Sequence, residues 1–236
     1  MRASGLSVVA ALLVLAAPRM DAAGRTVTFA AADGRTVTGL MLDARNRPAP
    51  AVILVPMLGR PKDDWQAVAE RLVDASISAL AIDLPESALP GDAAALQGWH
   101  EQIGAAVAYL AGRPAEVQAG AIGVAGASLG ASLAVLAAAA NPAVRSIALV
   151  SPALDYRGVR IEMAFAQYGP RPALLLASVH DPYAARTVRT LAQEPSSGLR
   201  EVRWSATPAH GTILLARDAD LVRSLVEWFQ RTLGVA

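Results

Sequence analysis

The chain has 236 residues, 54% of them hydrophobic, and 21 lysines and arginines against 20 aspartates and glutamates leave a formal charge of +1. That length suits one sizeable core, and balanced charge without a basic block or an aromatic-interleaved stripe excludes nucleic acid as the expected partner. The absence of cysteine excludes disulfides, thiolate metal sites and a cysteine-borne lipid anchor.

Met1 to Ala23 carries one early positive charge at Arg2, an apolar stretch from Leu6 to Ala17 and small residues afterwards. This is the layout of a secretory signal peptide, and the apolar run is too short to span a bilayer comfortably. Ala22-Ala23 offers a cleavage point, although Asp21 is not the small residue such a cut prefers, so an uncleaved anchor is the alternative. The expectation is a leader over 1–23, export to a periplasm or beyond, no stable membrane insertion after cleavage, and one domain over 24–236.

Beyond the leader, Thr26–Phe29 and Thr36–Leu42 flank Ala32-Asp33-Gly34-Arg35, which predicts an antiparallel hairpin with an Asp-Gly turn at a sheet edge. Arg45–Pro50 reads as a loop. From there, short apolar runs alternate with amphipathic segments. Strands are predicted over Ala51–Val55, Ser78–Ile82, Ala121–Ala125, Val144–Val150, Ala173–Ser178 and Glu201–Ser205. Helices are predicted over Trp65–Ala75, Leu96–Ala111, Leu129–Ala140, Tyr183–Gln193 and Asp218–Leu233. Such alternation predicts an α/β fold with a doubly wound, mainly parallel sheet covered on both faces. Ligands collect at the carboxyl ends of strands in sheets of this kind.

Gly126-Ala127-Ser128-Leu129-Gly130 lies at one of those strand ends and fits G-x-S-x-G, between an apolar run and an alanine-rich helical run. A serine on so sharp a strand-to-helix turn has a strained backbone, and the flanking glycines avoid clashes with the neighbouring segments. Ser128 is the candidate nucleophile. A serine hydroxyl needs a base within hydrogen-bond reach, and the chain has three histidines. His100 falls inside a predicted helix. His180 directly precedes the candidate acid Asp181, and adjacent residues of an extended chain point opposite ways. His210 follows the last strand on a loop and is the candidate base.

The imidazole needs a carboxylate to hold its tautomer and orientation. Asp181, just past the strand ending at Ser178, has the right place in chain order; the alternative is that it only caps the following helix, since Asp before Pro is a common helix start. Asp155 is the reserve acid, and Asp218 reads as the cap of the terminal helix. Backbone donors for a developing oxyanion are expected from Leu129, immediately after the nucleophile, and from Leu58, in the turn after the first parallel strand. Asp63-Asp64-Trp65 then opens a helix, with an aspartate as its cap and Trp65 packed beneath the loop. Three histidines at distant positions make no zinc motif, and no cofactor is implied.

On these residues, from Val27 to Leu233, the chain resembles the α/β-hydrolase superfamily, within it the small secreted members akin to dienelactone hydrolases and simple esterases. Gly126–Gly130 matches the elbow of that fold, Asp181 and His210-Gly211 its acid and base, and Gly59 through Asp64-Trp65 its oxyanion turn. Ser151–Gly158 and Tyr168–Pro172 also look like this group. Pro56-Met57 stands where many relatives have His-Gly. Only about twenty residues separate the strand ending at Val150 from that starting at Ala173, which leaves no room for a large cap, so the site is expected to be open. Trp99, Met57, Met163 and Phe165 are candidates for an apolar wall.

The resemblance implies a serine hydrolase acting on a small-molecule ester, thioester or short peptide through an acyl-enzyme. Two alternatives are a hydrolase-fold protein that binds without turnover and an acyltransferase using the same serine. Nothing in the sequence sets the oligomeric state.

Overall fold

The computed structural model describes residues 24–85, 92–195 and 198–234; the leader expected over 1–23 lies outside the described residues. Its sheet grows from a hairpin. β1 (Arg25–Ala30) and β2 (Thr36–Leu42) pair antiparallel from Arg25 opposite Met41 to Ala30 opposite Thr36, and the connection closes where the Ala31 amide donates to the Arg35 carbonyl. Asp33-Gly34 makes the turn as expected, with Gly34 at φ +80°.

β2 then pairs antiparallel with β4 (Ser78–Ile82). Every later pairing in that sheet is parallel. β4 lies beside β3 (Ala49–Val55), β3 beside β5 (Val117–Ala127), β5 beside β6 (Val144–Val150), and β6 beside β9 (Ala173–Ser178), with β10 (Arg200–Ser205) at the far edge. A separate two-stranded hairpin, β7 (Asp155–Tyr156) and β8 (Val159–Arg160), projects between β6 and β9 in chain order.

The central strands are continuous apolar runs because both of their faces are covered. In β3, Ala51, Ile53 and Val55 point into one core layer, and Val52 and Leu54 into the other. In β9, Ala173, Leu175 and Ala177 alternate with Leu174 and Leu176 in the same way. The first layer is closed by α3 (His100–Ala111), α4 (Leu129–Ala140), α5 (Glu162–Tyr168) and α6 (Pro182–Ala192). The second is closed by α1 (Gln66–Asp74), α7 (Gly211–Arg217) and α8 (Ala219–Leu233). α4 is buried on nearly all sides, so its alanines let strands and helices approach it closely.

Several expected boundaries shift. The segment expected as a loop over Arg45–Pro50 yields its last two residues to β3, where Ala49 pairs with Val117. The helix expected over Leu96–Ala111 divides at Gly98-Trp99 into α2 (Ala93–Gln97) and α3. α2 is capped by Asp92, which accepts from the Ala95 amide at 2.7 Å. A 3₁₀ turn at Lys62–Trp65 precedes α1, and neither has the expected aspartate cap. Trp65 is fully buried there. α5, α7 and the β7–β8 hairpin had no counterpart among the expected elements. Among the described residues no helix is long and apolar enough to cross a membrane.

The amphipathic α8 fastens the second layer. Trp228 is fully buried and donates its indole N–H to the Ile147 carbonyl at 3.1 Å, while Thr232 bonds Ser146. Beside it, Arg231 grips Glu201 of the edge strand β10 through both carboxylate oxygens, at 2.9 and 3.1 Å. Arg231 first, and Arg203 more weakly, hold the Glu201 carboxyl below the usual range.

Trp228→Phe keeps most of the buried area but removes the indole hydrogen bond to the Ile147 carbonyl, so it should cost about 0.5–1.5 kcal/mol, read as a lower urea midpoint at unchanged m-value. Because the folded pKa of Glu201 is depressed, its contribution is present above the unfolded value and is lost as pH falls through the folded one. Glu201→Gln should therefore be less stable than wild type at pH 7, with a shallower loss below about pH 4, measured by denaturation across pH.

Candidate active site

The carboxyl ends of β3, β5, β6 and β9 converge on Ser128. The residue sits between β5 and α4 with φ 52° and ψ −120°, a conformation that costs a non-glycine residue of order 1–3 kcal/mol. Three contacts enforce it. The Ser128 amide donates to the Val150 carbonyl at 2.9 Å, tying the turn to β6. A Cβ added at Gly126 would lie 2.2 Å from the Gly130 carbonyl oxygen, and one at Gly130 would lie 2.3 Å from the Pro56 oxygen. The two glycines thus let the first turn of α4 press against β5 on one side and the end of β3 on the other.

His210 lies between β10 and α7, and its side chain is 44% exposed. Its Nε2 is 2.8 Å from Ser128 Oγ, and its Nδ1 is 2.5 Å from Asp181 Oδ2. An ionised carboxylate can only accept, so Nδ1 carries the proton and Nε2 turns its lone pair to the serine hydroxyl. Asp181 serves two partners at once: its other oxygen accepts the Ala184 amide at 3.1 Å and caps α6. One oxygen of Asp181 thus faces the His210 ring and the other caps α6.

The reserve acid is engaged elsewhere. Asp155 accepts the Gly158 amide at 2.7 Å and Arg160 Nε at 2.9 Å within the β7–β8 hairpin, and Arg160, foremost, draws its carboxyl below the usual range. Its backbone carbonyl accepts the Tyr183 hydroxyl at 2.5 Å. The hairpin is further held by Ser132 Oγ donating to Ala153, and by Leu154 donating to Thr187 Oγ1. His100 opens α3, with Nδ1 against the Gln97 carbonyl. His180 is exposed, and its backbone amide donates to Ser178 Oγ. Asp218 caps α8 as expected.

The expected apolar wall is mostly not at the site. Trp99 and Phe165 are buried in the first core layer, and Met163, 79% exposed, lines a groove between α5 and α6 with Glu162 and Thr190. Met57 alone lies near His210: a Cβ on Gly211 would come 2.7 Å from its sulfur. Leu58 occupies the turn closed by the Arg60 amide donating to the Met57 carbonyl at 3.2 Å. Leu129 opens α4, where the first amides have no intrahelical acceptor.

Four buried hydroxyls that the sequence did not single out hold the segment carrying His210. Ser178 donates to the Thr207 carbonyl at 2.6 Å. Ser205 donates to Asp218 Oδ2 at 2.5 Å and accepts the Thr207 amide. Ser151, with φ 49°, accepts the Gly211 amide at 3.0 Å. Thr212 donates to Asp64 Oδ2 at 2.9 Å. For the three serines the only sequence signal is a hydroxyl residue at or just past a strand end, which is common in loops, and Thr212, in the first turn of α7, has none. A serine hydroxyl, an imidazole nitrogen turned to it and a carboxylate behind the ring thus lie in one line, a geometry that could serve acyl transfer.

No family model matches the sequence, and no curated protein matches it at a significant level. Solved structures do match. An esterase from Pyrococcus furiosus superposes with a TM-score of 0.73 at 15% identity, covering 89% of this chain and 93% of its own. Dienelactone hydrolase from Anabaena variabilis gives 0.69 at 18% identity, covering 89% and 99%. A 2,6-dihydroxy-pseudo-oxynicotine hydrolase gives 0.71 at 17%, covering 89% and 68%. At these identities the likeness is one of architecture, and it extends to the mostly parallel eight-stranded sheet described above. By that topology and these likenesses, the chain has the α/β-hydrolase fold, with no large cap among the described residues.

Proposed function

We propose that the chain is a serine hydrolase that cleaves a carboxylic ester. The observation that carries this reading is the continuous line Ser128 Oγ to His210 Nε2, 2.8 Å, and His210 Nδ1 to Asp181 Oδ2, 2.5 Å. Ser128 Oγ attacks the acyl carbon as Nε2 takes its proton. The proton then passes from His210 to the leaving alkoxide, and an acyl-enzyme remains. Water, deprotonated by the same nitrogen, attacks the acyl carbon, and the proton returns to Ser128 Oγ as the acyl–oxygen bond breaks and the acid leaves. Asp181 holds the ring and stabilises its cation throughout.

The amides of Leu129 and Leu58 are assigned to the oxyanion. Two features support that assignment: the free N–H groups expected at the start of α4, and the contact of Gly130 with Pro56, which brings the end of β3 against the elbow. Ester hydrolysis is favoured over other acyl chemistry because an esterase and a dienelactone hydrolase are among the similar structures. The partially exposed His210 leaves room for small substrates and for water. Export is part of the proposal, on the composition of residues 1–23.

A fluorophosphonate probe should add one phosphonyl group to the wild-type protein and none to Ser128→Ala, read by intact mass. Ser128→Ala and His210→Ala should lower p-nitrophenyl acetate turnover by about 10⁴-fold or more, and Asp181→Asn by about 10³–10⁴-fold. Asp155→Asn should stay within about threefold of wild type, since its carboxylate serves only the β7–β8 hairpin; labelling of Ser128→Ala, or collapse of activity in Asp155→Asn alone, would reject the assignment.

A further inference from the structure

Asp64 is a half-buried carboxylate that the fold does not need as a helix cap. It lies in the 3₁₀ turn that follows Leu58-Gly59. Its oxygens accept Arg60 Nε at 2.7 Å and a terminal guanidinium nitrogen of the same residue at 3.0 Å. Oδ2 also accepts the Thr212 hydroxyl at 2.9 Å, from a residue 148 positions away. Thr212 is buried, stands two residues after His210, and places its hydroxyl 3.5 Å from the Met57 sulfur. Gly211 completes this seam, because its missing side chain leaves the space that Met57 fills.

Two segments with no sequence proximity are thus joined by one carboxylate. On one side are Met57, Arg60 and Asp64, around the turn that holds the Leu58 amide. On the other are Gly211 and Thr212, next to His210. We propose that Asp64 is a positioning residue that fixes the oxyanion turn relative to the base through Thr212. This inference rests on the serine-hydrolase reading above. Acyl transfer needs the amide and the imidazole on opposite sides of one carbonyl group, and displacement by an ångström can cost about a hundredfold in rate. Arg60 foremost, and the Thr212 hydroxyl after it, hold the Asp64 carboxyl below the usual range against the opposing effect of burial. The bond to Thr212 is therefore charge-assisted at neutral pH, the stronger kind of hydrogen bond.

The test uses the full protein and two probes: fluorophosphonate labelling and p-nitrophenyl acetate turnover, both normalised to titrated active sites. Thr212→Val removes the cross-link while leaving the Arg60–Asp64 pair in place. It should lower the labelling rate and kcat by roughly tenfold, with KM within about twofold, and Thr212→Ser should restore both. Asp64→Ala should fall at least as far, and adding Thr212→Val to it should lower kcat no further, because the two groups act through one bond. Wild-type rates per titrated site in Thr212→Val, or additive losses in the double variant, would overturn the inference while leaving the hydrolase reading intact. A folded wild-type protein that neither labels nor turns over would overturn both.

Discussion

Backbone meets backbone at Gly126 and Gly130, and the site depends on that contact. The elbow bends the chain so sharply that the first turn of α4 lies against both β5 and the end of β3, with no room for a Cβ at either glycine. Ser128 is thereby held in a conformation it would not otherwise adopt. The strain is sustained by the surrounding sheet: the Ser128 amide is locked to Val150, and Ala127 stays in register with Val150 of β6. The elbow is therefore only as rigid as the parallel core beneath it, and the buried runs Ala51–Val55, Ala121–Ala127, Ile147–Val150 and Ala173–Ala177 supply that rigidity.

The second requirement is a fixed loop. Loops run over surfaces and tend to move, yet an imidazole must meet a hydroxyl within a few tenths of an ångström. The solution is a set of buried hydroxyls reaching the loop from four places: Ser178 and Ser205 before His210, Ser151 and Thr212 after it. Each satisfies a backbone or carboxylate group that would otherwise be unpaired in the interior. Four of the nine buried polar residues among those described hold this one segment.

The sheet, its two covered faces and the elbow were legible in the sequence because each is a local pattern: apolar runs of strand length, a period of 3.6, and glycines spaced around a serine. Ser128, Asp181 and His210 could be placed by chain order, since each ends or follows a strand that such patterns reveal. What stayed hidden was short or non-local. α5 and α7 have seven residues each and β7 and β8 two each, too few for a periodic signal. The break at Gly98 lay within a stretch apolar enough to read as one helix. The missing aspartate cap is a tertiary effect: Asp64 turned from its own helix toward Thr212. Phe165 and Trp99 were drawn to the site by chemistry alone, but their burial went to the core.

The order in which the two layers close bears on how the chain is made. Helices α2 to α6 cover one face of the sheet as its strands appear in sequence; on the other face α1 covers the β4 side early, but the part over β5, β6 and β9 waits for Trp228, Phe229 and Leu233 of α8, which follows the last strand. During synthesis, Ala148, Val150, Leu174 and Leu176 thus remain without most of their cover until α8 has left the ribosome. An apolar part of the sheet is therefore the last to be covered, and exposed surface of that kind is what makes incompletely folded chains prone to aggregate.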